Sequence, residues 1–281
     1  MSVLFKKYLR TVFLIPLRIK FFIKRMYAGK DTLTFRCNIC GNVCTSQVSE
    51  IKKREAQSCY HCGSTLRFRT IIAALTEQLF RKMEVLPRLS EDKQIVGVGM
   101  SDVEIYAAPL RNKFSYTNTY YHKEPKLDIT ALKIESHNTA DFVISTDIFE
   151  HVPPPVDVAF TNLYKLLKVG GVCIFSVPYR NDGDTVEHFP ELYNYKLVQR
   201  EGGTILANTT RDGRNQEFDN LCFHGGDGET LEMRIFSKSS LLKEIRKAGF
   251  REIRLYETSI PDYGILLNEN TPSLIISMRK T

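Results

Sequence analysis

The fold of this chain is decided by the stretch ADFVISTDIFEHVP at residues 140–153. Its first seven residues are rich in β-branched and aromatic side chains, a composition that predicts a largely buried strand. Asp147, Glu150 and His151 follow directly after that strand. The sequence therefore predicts a strand whose carboxyl end carries ionisable side chains.

Working outward from this strand, the chain from residue 93 alternates short apolar runs with helical patterns. Strands are predicted at residues 94–98, 114–120 and 172–177. A helix is predicted from Asp157 through residue 167, where Gly170 and Gly171 stop it. This alternation is typical of βαβ units and of an α/β fold with a parallel sheet.

A glycine pair follows the first of these strands, in the run Gly97-Val98-Gly99. Glycines at a strand–helix turn allow the backbone to approach a ligand closely, and the start of the next helix offers partial positive charge. Because any tight turn of this kind can contain such a pair, the motif alone is weak.

Three runs together carry a family resemblance: DITAL at residues 128–132, the stretch at 140–153, and LYKLLKVGGVCIFSVP at 163–178. In this order they resemble class I S-adenosylmethionine-dependent methyltransferases, most closely the small-molecule group called type 11. A helical pattern at 236–250 is similar to a late helix of that group. The resemblance implies a Rossmann-like, seven-stranded α/β sheet with helices on both faces and a last strand, 273–278, inserted antiparallel.

The resemblance also implies a cofactor, S-adenosyl-L-methionine, lying across the carboxyl ends of the strands. By position, Gly97 and Gly99 would face its methionine part. Asp128 and Ile129 would flank the adenine, and Asp147 would lie beside the sulfonium.

The chain departs from the family pattern at three positions. Ile95 stands where the glycine motif usually begins with an acid, and Ser101 stands where it usually has a third glycine. Asn118 replaces the acid that binds the ribose hydroxyls, and a neutral amide binds hydroxyls less strongly than a carboxylate. A degenerate domain without catalysis is the alternative that these departures leave open.

Histidines near the predicted site are candidates for proton transfer. A hydroxyl acceptor needs a base, and imidazole has a suitable pKa. His151, next to Glu150, is the leading candidate; the alternative is that both residues only cap and orient their loop. His188 is expected to reach the same region, and His224 lies in a long polar insertion at residues 181–234.

Four cysteines nearer the start of the chain form two Cys-x-x-Cys pairs, Cys37/Cys40 and Cys59/Cys62, with 18 residues between them. This spacing predicts a structural zinc ribbon (Zn²⁺ bound by four thiolates), whose closed coordination shell argues against catalysis. Disulfides are the alternative, but they would require secretion. Cys44 and His61 are spare ligands.

Residues 1–30 carry eight basic and no acidic side chains, whereas the other 251 residues carry 31 basic and 32 acidic ones. Between its charges, the segment 3–27 is strongly apolar and fits a basic amphipathic helix interrupted at Pro16. Such a helix suits an anionic membrane surface. A signal peptide, a transit peptide and packing onto the protein itself are the alternatives.

These patterns predict a basic tail at 1–30, a zinc ribbon with a linker helix at 31–88, and a methyltransferase domain at 89–281. The expected function is O-methylation of a sugar, a lipid-linked glycan or another small hydroxyl-bearing acceptor, in the cytoplasm or at the inner membrane face. One alternative is an RNA methyltransferase whose ribbon binds RNA. However, residues 31–69 are not heavily basic, and nucleic acid binding needs several phosphate contacts. A zinc-ribbon binding protein without catalysis is the other alternative.

Overall fold

The computed structural model describes residues 31–224, 230–268 and 273–281. The chain forms two compact units that interleave along the sequence. The first comprises the described part of Met1–Glu91 together with Glu104–Lys113 and Tyr256–Thr271. The second comprises Asp92–Val103, Phe114–Leu255 and Pro272–Thr281. The predicted amphipathic tail at 1–30 lies outside the described residues, and the predicted domain boundaries stay a prediction.

The first unit begins with a short hairpin and continues with helices. Strands β1 and β2 pair antiparallel, with Phe35 opposite Cys44. The long helix α2 begins at Leu66, because the side chain of Thr65 accepts a hydrogen bond from the backbone N–H of Phe68 and caps the helix. The elements of this unit are β1 (Thr32–Arg36), β2 (Val43–Gln47), α1 (Val48–Ile51), α2 (Leu66–Phe80) and α3 (Glu104–Lys113).

The second unit contains most of the strands. Its strands are β3 (Asp92–Met100), β4 (Phe114–Thr119), β5 (Ala140–Thr146), β6 (Leu167–Ser176), β7 (Tyr179–Arg180), β8 (Val186–Glu187), β9 (Asn194–Arg200), β10 (Gly203–Thr209), β11 (Asn215–Phe218), β12 (Phe223–His224), β13 (Thr230–Leu231), β14 (Arg234–Ser237), β15 (Arg251–Leu255) and β16 (Ile276–Arg279). Its helices are α4 (Asp157–Leu166) and α5 (Lys238–Lys247).

The central sheet has the strand order β15-β16-β6-β5-β3-β4. Strands β3, β4, β5 and β6 run parallel, whereas β16 is antiparallel to both β6 and β15. This confirms the predicted Rossmann-like α/β architecture and the antiparallel last strand. The reversal of strand order after β3 also brings the carboxyl ends of β3 and β5 together, the usual place for a ligand in such sheets.

The predicted count of seven strands is not reproduced, because the described residues contribute six strands to this sheet. Between β4 and β5 the chain forms short 3₁₀ turns, at Ile129–Ala131 and Ile134–Ser136. The side chain of Asp128 accepts a hydrogen bond from the backbone N–H of Thr130, which favours a turn over an extended strand at this point.

The hydrophobic core of the second unit fixes the loop after β5. Phe149, in that loop, is fully buried, and its ring packs 4.7 Å from the ring of Phe160 and 5.1 Å from that of Phe175. Burying a phenylalanine side chain contributes about 1.5–3 kcal/mol. The backbone that carries the neighbouring Glu150 and His151 is therefore held by the core.

Among the described helices, none is long and apolar enough to span a membrane.

Candidate functional site

The four predicted zinc ligands come together in the first unit. The Sγ atoms of Cys37 and Cys62 are 3.7 Å apart, and those of Cys40 and Cys59 are 3.8 Å apart. All four sulfurs lie within 4.8 Å of one another. A tetrahedral zinc ion with Zn–S bonds of about 2.3 Å holds its ligands about 3.8 Å apart. The cluster thus has the dimensions of a four-thiolate zinc site.

The turns that place these sulfurs follow from the glycine after each pair. Gly41 donates its N–H to the carbonyl of Cys37 at 2.8 Å, and Gly63 donates to Cys59 at 2.7 Å. Both glycines have a positive φ, 78° and 75°, which a side chain would disfavour. Each Cys-x-x-Cys-Gly segment therefore folds into a tight turn with both sulfurs on one side.

A buried arginine at the start of α2 supports the cluster. The Arg69 guanidinium donates to the carbonyl oxygens of Ser64 and Gly264, at 2.9 and 2.8 Å. Burial lowers the pKa of Arg69, and the nearby cysteine sulfurs, Cys37 first, oppose that shift. A cation at this position would offset the negative charge of cysteine thiolates in the cluster. Sequence analysis missed this role, and the run Arg67-Phe-Arg69 alone does not indicate which arginine is buried.

In the second unit, the surroundings of the two motif glycines leave no room for a side chain. A Cβ atom added to Gly97 would lie within 3 Å of the Phe142 ring on β5, and one added to Gly99 would lie within 3 Å of Tyr116 and Asp102. The predicted contact with the methionine part of the cofactor stays a prediction. Ser101, which replaces the third glycine, has a φ of 58° and so keeps the left-handed conformation that favours glycine.

Asn118 lies on β4 directly beside Gly99, but its amide is already engaged. Its Oδ1 accepts from the backbone N–H of Asp102 at 2.9 Å. Its Nδ2 donates to the Asp102 carbonyl at 2.7 Å and to the Tyr120 hydroxyl at 3.0 Å. Both N–H groups of Nδ2 are therefore used within the protein. The amide thus holds the turn after β3 in place. Only the remaining lone pair of Oδ1 is left for the predicted hydrogen bond to the ribose.

The other predicted cofactor residues lie at strand ends and in a turn. Asp147 follows β5 with a φ of 57°, and its Oδ1 accepts from the Ser176 hydroxyl at 3.0 Å, which joins the ends of β5 and β6. Asp128 Oδ1 accepts from the Thr130 hydroxyl at 2.7 Å. Ile129 is buried beside it. These local bonds fix the backbone on which the predicted adenine contacts depend.

The three predicted catalytic residues belong to one connected cluster after β5. Nδ1 of His151 lies 3.0 Å from the carbonyl oxygen of Leu231, so this nitrogen carries the proton and donates it. Nε2 of His151 lies 3.8 Å from Oε1 of Glu150 and 3.2 Å from Nδ1 of His224. Burial lowers the pKa of His151, and the hydrogen bond that His151 donates to the Leu231 carbonyl opposes this shift. These features favour a neutral imidazole with its lone pair on Nε2.

A carboxylate missed by sequence analysis completes this group, hereafter the imidazole cluster (Glu150, His151, His188, His224 and Glu232). Glu232 Oε1 accepts a hydrogen bond from His188 Nε2 at 2.9 Å, and its Oε2 lies 3.2 Å from His224 Nε2. Glu232 is 81 residues from His151 in sequence. No local spacing could have indicated that the two residues share a cluster.

The turn that presents Glu150 and His151 is braced from the strand β14. Arg234, which is fully buried, donates from Nη1 to the carbonyl of Phe149 at 3.1 Å and from Nε to Glu187 at 2.7 Å. The backbone N–H of Met233 donates to the carbonyl of Glu150 at 2.7 Å. The cluster is therefore supported by backbone contacts rather than by side chains alone.

Residues 80–175, roughly a third of the 281-residue chain, match the sequence model of a methyltransferase domain. This segment contains the parallel strands β3 to β5 and nearly all of β6. No curated protein matches the chain significantly. The match thus covers the part of the chain that forms the parallel sheet.

Solved structures show similarity at low identity. An S-adenosylmethionine-dependent methyltransferase from Clostridium acetobutylicum is 12% identical, with 74% of this chain and 96% of that chain covered and a TM-score of 0.39. A 1,6-didemethyltoxoflavin-N1-methyltransferase from Burkholderia thailandensis is 14% identical, with 75% and 78% covered and a TM-score of 0.40. The sugar N-methyltransferase KedS8 from Streptoalloteichus is 11% identical, with 75% and 85% covered and a TM-score of 0.41.

Proposed function

We propose that this chain, an S-adenosylmethionine-dependent methyltransferase, methylates a hydroxyl oxygen of a small acceptor such as a sugar or a lipid-linked glycan precursor. The observation that carries the proposal is that His151, five residues after the end of β5, has the proton on Nδ1 held by the Leu231 carbonyl, which leaves Nε2 unprotonated in the neutral ring. A buried imidazole with its proton fixed on the other nitrogen is suited to accept a proton from a hydroxyl group.

The donor, when bound, supplies a methyl group on a sulfonium, which leaves as a thioether when the carbon–sulfur bond breaks. In the proposed reaction, the acceptor oxygen forms the new bond to the methyl carbon and gives its proton to Nε2 of His151. Glu150 stabilises the resulting imidazolium, and His188 holds Glu232 in place through their 2.9 Å hydrogen bond. Alignment of the two reactants can supply several kcal/mol of the barrier reduction.

For the donor, we propose the residues that the family resemblance implies. Asp128 has its Oδ1 bonded to Thr130, while its Oδ2 has no hydrogen bond within the described residues and can accept one from the adenine amino group. Ile129 lines the ring. Gly97, Gly99 and Asn118 line the turn after β3, and Asp147 provides negative charge beside the sulfonium.

Calorimetry with S-adenosylhomocysteine tests the donor site independently of any acceptor. Asp128→Asn keeps the oxygen that caps the 3₁₀ turn but removes the charge. We expect S-adenosylhomocysteine to bind about tenfold more weakly, because one charge-assisted hydrogen bond is lost. Asp182→Asn changes an exposed carboxylate and is the matched control. An unchanged Kd in the Asp128 variant would remove this residue from the donor site, and absence of binding by the wild type would refute the enzymatic proposal.

The acceptor class is tested by incubating the full chain with methyl-labelled donor and fractionated cell extract. Label in lipid or glycan fractions supports the proposal. Label in RNA would instead favour the zinc-ribbon RNA methyltransferase, and label in none of the fractions, despite donor binding, would favour a binding protein without catalysis.

We further propose that Cys37, Cys40, Cys59 and Cys62 hold a structural Zn²⁺. The sulfur separations of 3.7 and 3.8 Å and the compensating charge of Arg69 support this assignment. Four thiolates leave no open coordination position, so the ion would stabilise the fold rather than act on a substrate. Elemental analysis of the purified chain tests the proposal.

Finally, we propose that residues 3–27 bind an anionic membrane surface and bring the enzyme close to a lipid-linked acceptor. The proposal rests on the charge and apolar pattern of the sequence alone. Flotation with vesicles containing anionic lipid, using the full chain and a chain that lacks residues 1–29, tests it. Equal flotation of the two proteins would contradict it.

A further inference from the structure

The two histidines at the centre of the imidazole cluster face each other in an unusual way. Nδ1 of His151 must carry a proton, because its neighbour is a carbonyl oxygen that can only accept. Nε2 of His224 lies 3.2 Å from the carboxylate of Glu232, which favours a proton on that nitrogen as well. In the neutral rings, the lone pairs therefore lie on Nε2 of His151 and Nδ1 of His224, which are 3.2 Å apart.

A third electron-rich group lies next to this pair. The side chain of Glu150 is fully buried, and its Oε1 is 3.8 Å from Nε2 of His151. Two imidazole nitrogens and a carboxylate oxygen are ligand types that a divalent transition-metal ion binds.

We infer that Glu150, His151 and His224 bind a divalent transition-metal ion of the zinc class. One atom from each of the three residues lies within 4.8 Å of the other two. A tetrahedral ion with bonds of about 2.1 Å to nitrogen holds two imidazole nitrogens about 3.4 Å apart, close to the 3.2 Å found here. Imidazole and carboxylate ligands favour Zn²⁺, Co²⁺ or Ni²⁺ over Mg²⁺ or Ca²⁺.

The surroundings of the two imidazoles match those of metal-bound histidines. Such residues usually donate their second nitrogen to a backbone carbonyl or a carboxylate, which fixes the tautomer and the ring orientation. His151 donates to Leu231, and His224 lies beside Glu232. Three protein ligands leave a coordination position open, unlike the four thiolates of the first unit.

A second group of three, formed by Cys222, His224 and Glu232, shares His224 but uses its other nitrogen. Both groups cannot be filled at once without removing both protons from His224. We assign the ion to the Glu150 group, because Leu231 and Glu232 hold the second ring nitrogens of His151 and His224, whereas Cys222 is exposed. An ion there also occupies the Nε2 lone pair of His151, which accepts the proton of the hydroxyl group in the proposed reaction, so we expect a bound ion to inhibit methyl transfer.

The test measures metal binding and does not depend on methyl transfer. The full chain is dialysed against a weak chelator, its tightly held zinc is quantified, and Zn²⁺ is then titrated by calorimetry. We expect one further ion in the wild type. His224→Gln is expected to bind it at least tenfold more weakly, whereas His122→Gln, which removes an exposed imidazole, is expected to bind it like the wild type.

Cobalt and a cysteine variant test the ligand set. Bound Co²⁺ is expected to show d–d absorption without a further thiolate charge-transfer band, and Cys222→Ser is expected to leave the affinity unchanged. Loss of binding in Cys222→Ser would move the ion to the other group and overturn the assignment. Absence of a further ion in a folded wild type, or equal affinity in His224→Gln, would overturn the inference. In either case, donor binding and labelling of extract would still test the proposed methyl transfer separately.

Discussion

The four-cysteine cluster (Cys37, Cys40, Cys59 and Cys62) and the imidazole cluster both consist of side chains that can bind metal ions, but they are built in different ways. The four cysteines lie within 26 consecutive residues, Cys37 to Cys62, and two local turns bring the sulfurs together. The imidazole cluster combines residues from 150 to 232, held by the packed strands β5 and β14 and the segments between them. The first is thus encoded locally, and the second exists only when the second unit is folded.

Removing the local cluster is expected to have the largest effect. The double variant Cys37→Ser, Cys59→Ser leaves two thiolates, too few for a structural zinc site. We expect the loss of bound zinc and of the zinc-dependent folding free energy of the first unit, on the order of 10 kcal/mol. Elemental analysis and limited proteolysis of residues 31–91 measure the effect.

Cys222→Ser, which changes an exposed cysteine outside the cluster, is the control for this variant. Full zinc content in the double variant would show that the four sulfurs do not bind the ion.

Altering the long-range cluster is expected to affect the reaction and leave the fold intact. His151→Ala removes the proposed base, so we expect kcat/KM for the labelled acceptor fraction to fall by about 10²- to 10⁴-fold. The Kd for S-adenosylhomocysteine and the thermal unfolding transition should be close to those of the wild type. His122→Ala serves as the control, and wild-type turnover in His151→Ala would show that the residue only orients its loop.

Arg69 tests whether the four-cysteine cluster needs a compensating charge. Arg69→Met keeps much of the side-chain volume but removes the buried cation and its hydrogen bonds to Ser64 and Gly264. We expect a loss of about 3–5 kcal/mol in the stability of the first unit and weaker zinc binding. Chemical denaturation and competition with a chelator measure the two effects.

Arg69→Lys retains the charge and is expected to recover part of the zinc affinity. If Arg69→Met retained zinc as tightly as the wild type, the guanidinium would have only a packing role.

The smallest effect is expected from Glu232, the carboxylate that holds His188 and lies beside His224. Glu232→Gln preserves the shape of the side chain and removes its charge. We expect Zn²⁺ to bind the imidazole cluster roughly tenfold more weakly. This is the lower end of the loss in metal affinity that follows when a hydrogen-bond partner of a metal ligand is changed. Zinc at the cysteines should stay unchanged.

Glu217→Gln, in an exposed ion pair with Arg200, is the matched control for Glu232→Gln. Equal Zn²⁺ affinity in the Glu232 variant and the wild type would show that the carboxylate does not orient His224.

Several features could be predicted because they depend on neighbours in sequence. The strand at Ala140–Thr146 and the helix from Asp157 follow from local composition and stop signals. The fold class followed from their alternation, and the antiparallel position of the last strand from the family resemblance. The seven-strand count was not reproduced, because the described residues contribute six strands to the central sheet.

The role of Asn118 shows the limit of reasoning by position. Its place at the end of β4 suggested a contact with the ribose of the donor. The amide instead bonds to Asp102 and Tyr120, which only the folded turn brings within reach. Similarly, Gly97 and Gly99 suggested a cofactor turn, whereas Phe142, Tyr116 and Asp102 give them a second reason to lack a side chain.

The sequence by itself determined the alternating α/β pattern, the Cys-x-x-Cys turns and the polar residues that follow β5, because each depends on backbone preferences over a few residues. The tertiary structure decided which arginine is buried near the cysteines, how Asn118 is used, and that Glu232 and His224 join His151. The contact of Arg69 with Gly264 links residues 195 positions apart in sequence, and that of His151 with His224 links residues 73 positions apart. Long-range pairings of this kind depend on strand order and packing, which short spacings do not encode.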